Sequence, residues 1–291
     1  MYSQIDSNKR KTWLVMAMFF VIIAVIGGLV GYSADNFSIT WVMLGISAVY
    51  ALIQYFLASK MAIMMSGARE VDRNTAPRLH HVVETLSMTT GLPMPKIYVI
   101  DDPSPNAFAT GRDPQHAAVA ATTGLINMMD ERELTGVIAH EMAHIGNYDI
   151  RVSLIALALT AAIGFMSDLI LRFGFRSSSS DRDNNGAGAI MLIIVAVLAP
   201  VMALLIQLAV SRKREYLADA TASLTTRDPE GLASALDKLK NDKQPMRKVS
   251  STMANMYIKN PLKKGLFSGL LSTHPPLEER INILRGMEGK F

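Results

Sequence analysis

The run His140-Glu141-Met142-Ala143-His144 places two imidazoles and a carboxylate within one short stretch. On a helix, residues four apart stand on one face, so His140 and His144 can offer two ring nitrogens to a single metal ion. Glu141 can reach a water at that ion and act as general base, which is the logic of H-E-x-x-H in zinc hydrolases. A chance pattern on a surface helix is the competing reading, and the chain has only six histidines from which to make it. The neighbours favour a helix. Asp130 with Glu133 reads as a capping box, Leu134, Val137, Ile138 and Ile145 form an apolar stripe, and Gly146 supplies a stop.

A hydrolytic zinc site needs three protein ligands and one open position. The chain has no cysteine, which excludes disulfides and thiolate ligands and leaves His, Asp or Glu as the third donor. Glu215 leads. It lies in Ser211-Arg212-Lys213-Arg214-Glu215-Tyr216-Leu217-Ala218-Asp219, and Asp219, one turn on, can hydrogen-bond the far nitrogen of a ligating histidine. Taken without the histidine motif, both carboxylates would be helix-surface groups beside Arg214. Asp149 is nearer to His144, but Gly146 and Asn147 read as a helix end that keeps it off the histidine face. His80 and His81 are adjacent, so on a helix they diverge and read as packing or surface residues. His116, beside a turn marked by Gly111 and Pro114, reads as a loop residue.

The elements that must position these groups are largely apolar. Half of the 291 residues are hydrophobic, which points to a membrane protein. The net charge of +4 comes without a zinc-finger, helix-turn-helix or RNA-binding signature, and no phosphate-binding loop occurs, so neither nucleic acid nor nucleotide is an expected partner. Trp13 to Tyr32 is uncharged and long enough to cross a hydrocarbon core of about 30 Å, and Trp41 to Leu57 forms a second run. A cleavable signal peptide is the rival for the first run, but its length and Tyr32 at its end speak against one. Lys9, Arg10 and Lys11 precede the pair, Lys60, Arg69, Arg73 and Arg78 follow it, and the loop between has no Lys or Arg. Both ends therefore read as cytoplasmic.

Val152 to Ile170, interrupted by Asp168, and Ala189 to Val210, containing Pro200, are candidate third and fourth spans around the serine-rich loop Ser177 to Gly188. Arg212, Lys213 and Arg214 then act as a cytoplasmic stop, and a hairpin that starts and ends on one side returns Glu215 to the face His144 left. The expected class is a mainly α integral membrane protein with four hydrophobic segments. Its parts are an N-terminal hairpin (1–60), a first catalytic part with the histidine helix (61–150), a second hairpin (151–210) and a second catalytic part (211–291). Leu79 to Leu86 reads as an amphipathic helix, Lys96 to Ile100 and Ala117 to Thr122 as strands, and Leu232, Leu236 and Leu239 as one helix face opposite the solvated Lys238, Lys240 and Lys243. The small residues of Asn106 to Gly111 read equally as an exposed strand to which a peptide could add, or as an ordinary hairpin arm.

Four motifs in order, Asn106 to Gly111 (NAFATG), the His140–His144 helix, Ser211 to Asp219 (SRKREYLAD), and Thr273-His274-Pro275-Pro276 with Glu279-Arg280-Ile281, resemble the HtpX family of bacterial membrane zinc metalloproteases. These are relatives of the CAAX prenyl endoproteases, and the likeness extends over nearly the whole chain. It implies a cytosolic α+β zincin-like (gluzincin) metalloprotease domain and one Zn2+ per chain held by His140, His144 and Glu215. It also implies Glu141 as catalytic base and a substrate-binding strand at Asn106, Ala107, Phe108, Ala109 and Thr110. His274 matches an oxyanion-stabilising histidine; the alternative is that the His-Pro-Pro turn and Arg280 pack the C-terminal helix against the active-site helices. The implied setting is the bacterial plasma membrane, multi-pass, in a stress response. The implied substrates are misfolded or damaged membrane proteins cut from the cytosolic side; partner proteases are left unspecified. A dedicated processing protease for one peptide and a non-catalytic zinc-binding scaffold are the rival readings.

Overall fold

This computed structural model describes residues 2–33, 35–161, 163, 212–247, 253–259 and 275–290. The chain divides into two compact units, Lys9–Ala58 with Ile155–Ala209, and Met1–Asn8 with Ser59–Leu154 and Val210–Phe291.

In the first of these units the apolar runs form most of α1 (Tyr2–Ser33) and α2 (Ser38–Ser66), whose outer ends belong to the other unit and which each extend beyond the run that predicts it. Both are long and apolar enough to cross a membrane. One face of α1, with Val15, Phe19, Ile23 and Ile26, packs on Ile155, Leu159 and Ile163. Trp13, Val21, Trp41, Val49 and Leu52 stay exposed, an apolar surface that water would penalise. The start of α2 lies close against α1: the Thr40 hydroxyl donates to the Gly27 carbonyl at 2.8 Å, and a Cβ on Gly31 would stand 3.0 Å from that hydroxyl. Small residues allow such an approach. Residues 149–161 are helical and begin the third apolar run. The rest of that run past residue 163, the loop Ser177 to Gly188, the fourth run and His274 lie outside the described residues.

The second unit is α+β. Strands β1 (Arg69–Glu70), β2 (Lys96–Ile100), β3 (Ala107–Gly111) and β4 (Ala117–Thr122) form one sheet in the order β1-β2-β4-β3. The β2–β4 pair is parallel and the other two pairs are antiparallel. The small-residue stretch is β3, an edge strand, but it is buried along its whole length rather than exposed. Part of its outer edge is already satisfied. The Ala107 carbonyl accepts from the Ile258 amide at 3.0 Å, and the Asn106 side chain donates to the Lys259 carbonyl at 2.8 Å while accepting from the Lys259 amide at 3.1 Å. Gly111 sits at φ +148°, and a Cβ there would meet the His116 carbonyl oxygen at 2.6 Å, so the turn into β4 requires glycine.

Helix α3 (Pro77–Thr90) starts on a proline and ends at Gly91, whose φ of 69° is left-handed, and buries Leu79, Val82, Val83 and Leu86. After the short α4 (Thr123–Met128) comes α5 (Glu131–Gly146), followed by α6 (Arg212–Thr226), α7 (Pro229–Asn241) and α8 (Leu277–Arg285). Helix α5 is central and packs on α3, α6, α7 and β3. Leu134, Val137, Ile138 and Ile145 are its buried stripe. Gly136 lets α7 lie against it, since a Cβ there would come within 2.7 Å of the Leu232 amide.

The expected capping box is present: the Asp130 carboxylate accepts from the Glu133 amide at 2.8 Å and the Glu133 carboxylate accepts from the Asp130 amide at 2.9 Å. Glu133 also takes the Ser234 hydroxyl at 2.7 Å and the Lys238 ammonium. Lys238 therefore neutralises a buried carboxylate instead of merely facing solvent. The helix does not end on Gly146 in the expected way. Asn147 is still right-handed, and the residue with positive φ, 61°, is Tyr148.

Burial pushes the Glu133 carboxyl up, but the hydrogen bonds from Lys238 and Ser234 outweigh it and hold the group below its ordinary value. A carboxyl depressed in the folded state adds stability above its unfolded pKa, and that stability is lost as pH falls through the folded value. Glu133→Gln is expected to lower stability by about 1 kcal/mol at neutral pH. In denaturant unfolding the gap to the parent should close as pH falls below about 4.

Candidate metal centre

The His140 and His144 rings lie near-perpendicular with centroids 4.7 Å apart, and their Nε2 atoms approach to 3.2 Å. Glu215, from the first turn of α6, faces both: Oε2 is 3.7 Å from His140 Nε2 and Oε1 is 3.6 Å from His144 Nε2. One ligand atom from each of the three lies within 4.8 Å of the others, so the group could hold a metal ion.

The opposite ring nitrogens fix this geometry. His140 Nδ1 is 3.0 Å from Asp219 Oδ1, and His144 Nδ1 is 3.0 Å from Asp149 Oδ2. A carboxylate accepts the Nδ1 proton and so leaves each Nε2 lone pair facing the common point. Two imidazole nitrogens and a carboxylate oxygen, with no thiolate, are a donor set that suits zinc.

Sequence reasoning puts Asp149 beyond reach of the histidine face because Gly146 and Asn147 end the helix. The structure corrects this. Asn147 and the left-handed Tyr148 reverse the chain in two residues and bring the Asp149 carboxylate back to His144. A tyrosine in that conformation carries no signal that sequence spacing would reveal.

Arg280 is the second surprise, because it is fully buried inside the site and does more than pack a helix. Its Nε and Nη2 hydrogen-bond both Asp219 oxygens at 2.8 and 2.6 Å, and its Nη1 is 3.4 Å from Glu215 Oε2. Burial pushes the Asp219 carboxyl up, but Arg280 and His140 outweigh it and hold the group ionised. For His144, burial disfavours the charged ring, yet the Asp149 hydrogen bond and the Glu215 charge raise it to about 9.

Glu141 is buried next to the ligand pair. Burial pushes its carboxyl above the usual range, Glu215 adds to the rise, and His140, His144 and the Ala109 backbone pull the other way. A carboxyl so raised is closer to the range in which a general base works well near neutral pH. Of the other histidines, His80 is half-buried with Nδ1 4.0 Å from Glu84, His81 is exposed, and His116 is exposed with Nδ1 2.7 Å from Asp113.

A family model described as peptidase family M48 matches residues 73–288. The chain is 49% identical to a protein named Protease HtpX homolog from Tropheryma whipplei (strain Twist), with 100% of both chains covered. It is 47% identical to a Protease HtpX homolog from Streptococcus pneumoniae (strain Taiwan19F-14), covering 99% of this chain and 100% of the relative. Among solved structures, the crystal structure of S. mikatae Ste24p superposes with a TM-score of 0.53 at 20% identity, over 98% of this chain and 67% of that one, a likeness of fold.

Arg280 compensates two buried carboxylates at once. Arg280→Met should leave both without their cation and lower the unfolding free energy by about 3–5 kcal/mol, read by denaturation of the metal-free protein in detergent. A variant as stable as the parent would mean that the network carries no such load.

Proposed function

This chain belongs to peptidase family M48 and is a metalloprotease, and from that premise we propose a zinc-dependent endopeptidase of the bacterial plasma membrane that cuts misfolded or damaged membrane proteins from the cytosolic side. The observation that carries the reading is the convergence of His140 Nε2, His144 Nε2 and a Glu215 oxygen on one point, with both far nitrogens tied to carboxylates. His140, His144 and Glu215 would hold one Zn2+. When bound, zinc supplies Lewis acidity to the attacking water and the scissile carbonyl.

The chain's own residues account for the rest. Glu141, raised by burial, takes the proton of the attacking water and returns it to the leaving amine. Asp219 and Asp149 keep the two histidines in the tautomer that presents Nε2. The Ala109 backbone lies within hydrogen-bonding reach of Glu141, which supports β3 as the substrate strand. Because Asn106 and Ala107 are engaged by Lys259 and Ile258, pairing with a peptide would fall to the far end of the proposed strand Asn106–Thr110. His274 is the proposed oxyanion donor.

The apolar helices α1 and α2 support membrane anchoring, and the Lys and Arg distribution supports a cytosolic active site. The proposed organisation has membrane hairpins at 1–60 and 151–210, with the catalytic domain built from 61–150 and 211–291. Cleavage of a generic unfolded protein such as casein separates quality control from processing of one dedicated peptide.

Glu141→Gln keeps all three donors but cannot accept a proton. Casein cleavage by the purified variant should fall by a factor on the order of a thousand, while zinc analysis still finds one ion per chain. Substantial turnover by a variant free of contaminating protease would remove Glu141 from its role.

A further inference from the structure

The first turns of α1 belong to the same compact unit as the metal centre, and one of their side chains reaches it. Asn8 is 1% exposed. Its amide nitrogen donates to Asp149 Oδ1 at 2.8 Å and to the Asn147 carbonyl at 2.8 Å. These two acceptors flank Tyr148, the left-handed residue that turns the chain back toward His144. Asp149 spends its other oxygen on His144 Nδ1 at 3.0 Å, and Arg214 Nε stands 3.7 Å from Oδ1. One amide thus ties both ends of a strained two-residue reversal and fixes the carboxylate that orients a ligand.

We infer that Asn8 is a positioning residue of the metal centre, acting through Asp149 on His144, so that the seating of the first turns of α1 sets how tightly the site holds its ion. This rests on the zinc reading proposed above. An amide suits the place because its two N–H donors match two acceptors. A carboxylate there would face Asp149 with like charge, and an alkyl group would leave both acceptors without this donor.

The test is zinc affinity of the full chain in detergent, by competition with a chelator. Asn8→Ala is expected to weaken zinc about tenfold and Asp149→Ala by about 10–100-fold. The double variant should bind no more weakly than Asp149→Ala alone, because both changes cut one line of contacts. Losses that multiply in the double variant, or parental affinity in Asn8→Ala, would overturn the inference.

Cobalt(II) in the Asn8→Ala protein reads the same question without the double variant. A shifted visible band is expected, and a spectrum identical to the parent's contradicts it. If Asn8→Ala does not accumulate, Asn8→Ser carries both measurements, since its hydroxyl has one donor in place of two. A parent chain that binds no zinc would instead defeat the metal reading itself.

Discussion

Two imidazoles on one helix can present the same nitrogen to one point only if their other nitrogens are held. Here each is held by a buried carboxylate, Asp219 for His140 and Asp149 for His144. Burying those carboxylates beside Glu215 and Glu141 concentrates negative charge where water cannot screen it. The rest of the unit can be read as the response to that constraint. Arg280 comes from the C-terminal helix to neutralise Asp219 and Glu215, and Arg214 stands by Asp149. A cation held among the three donors would complete the balance.

The scaffold answers the same demand for position. Helix α5 carries both histidines and Glu141, starts at a defined point through its capping box, and is clasped by α3, α6, α7 and β3. The close contact at Gly136 sets α7 against it. Helix α6 delivers Glu215 and Asp219 from one face, one turn apart. Functional side chains on packed helices hold their geometry better than side chains on loops.

Local rules made α5 legible: an Asp-x-x-Glu start, an apolar stripe and a histidine pair at helical spacing each act within a few residues. Strands β2 and β4 were legible for the same reason, with their predicted ranges recovered. What escaped depends on distant parts of the chain. Asn8 lies 132 residues from His140, and nothing near it marks it as part of a metal centre, while Arg280, 140 residues away, stands in a motif that places it at the active-site helices without showing that it would bind Asp219 and Glu215 directly. Asp149 escaped because a tyrosine adopts the left-handed turn usually left to glycine. Spacing could not decide whether β3 is an open edge or an ordinary hairpin arm, because the segment that covers part of it, through Ile258 and Lys259, comes about 150 residues later.

The most direct test of the account is X-ray absorption at the zinc edge of the purified, zinc-loaded chain. The prediction is one ion per chain with a four-membered nitrogen and oxygen shell at about 2.0–2.1 Å, two of its members imidazoles and one the Glu215 carboxylate, whose signature disappears in Glu215→Ala. A third imidazole in the shell, or a coordination unchanged in Glu215→Ala, would contradict it.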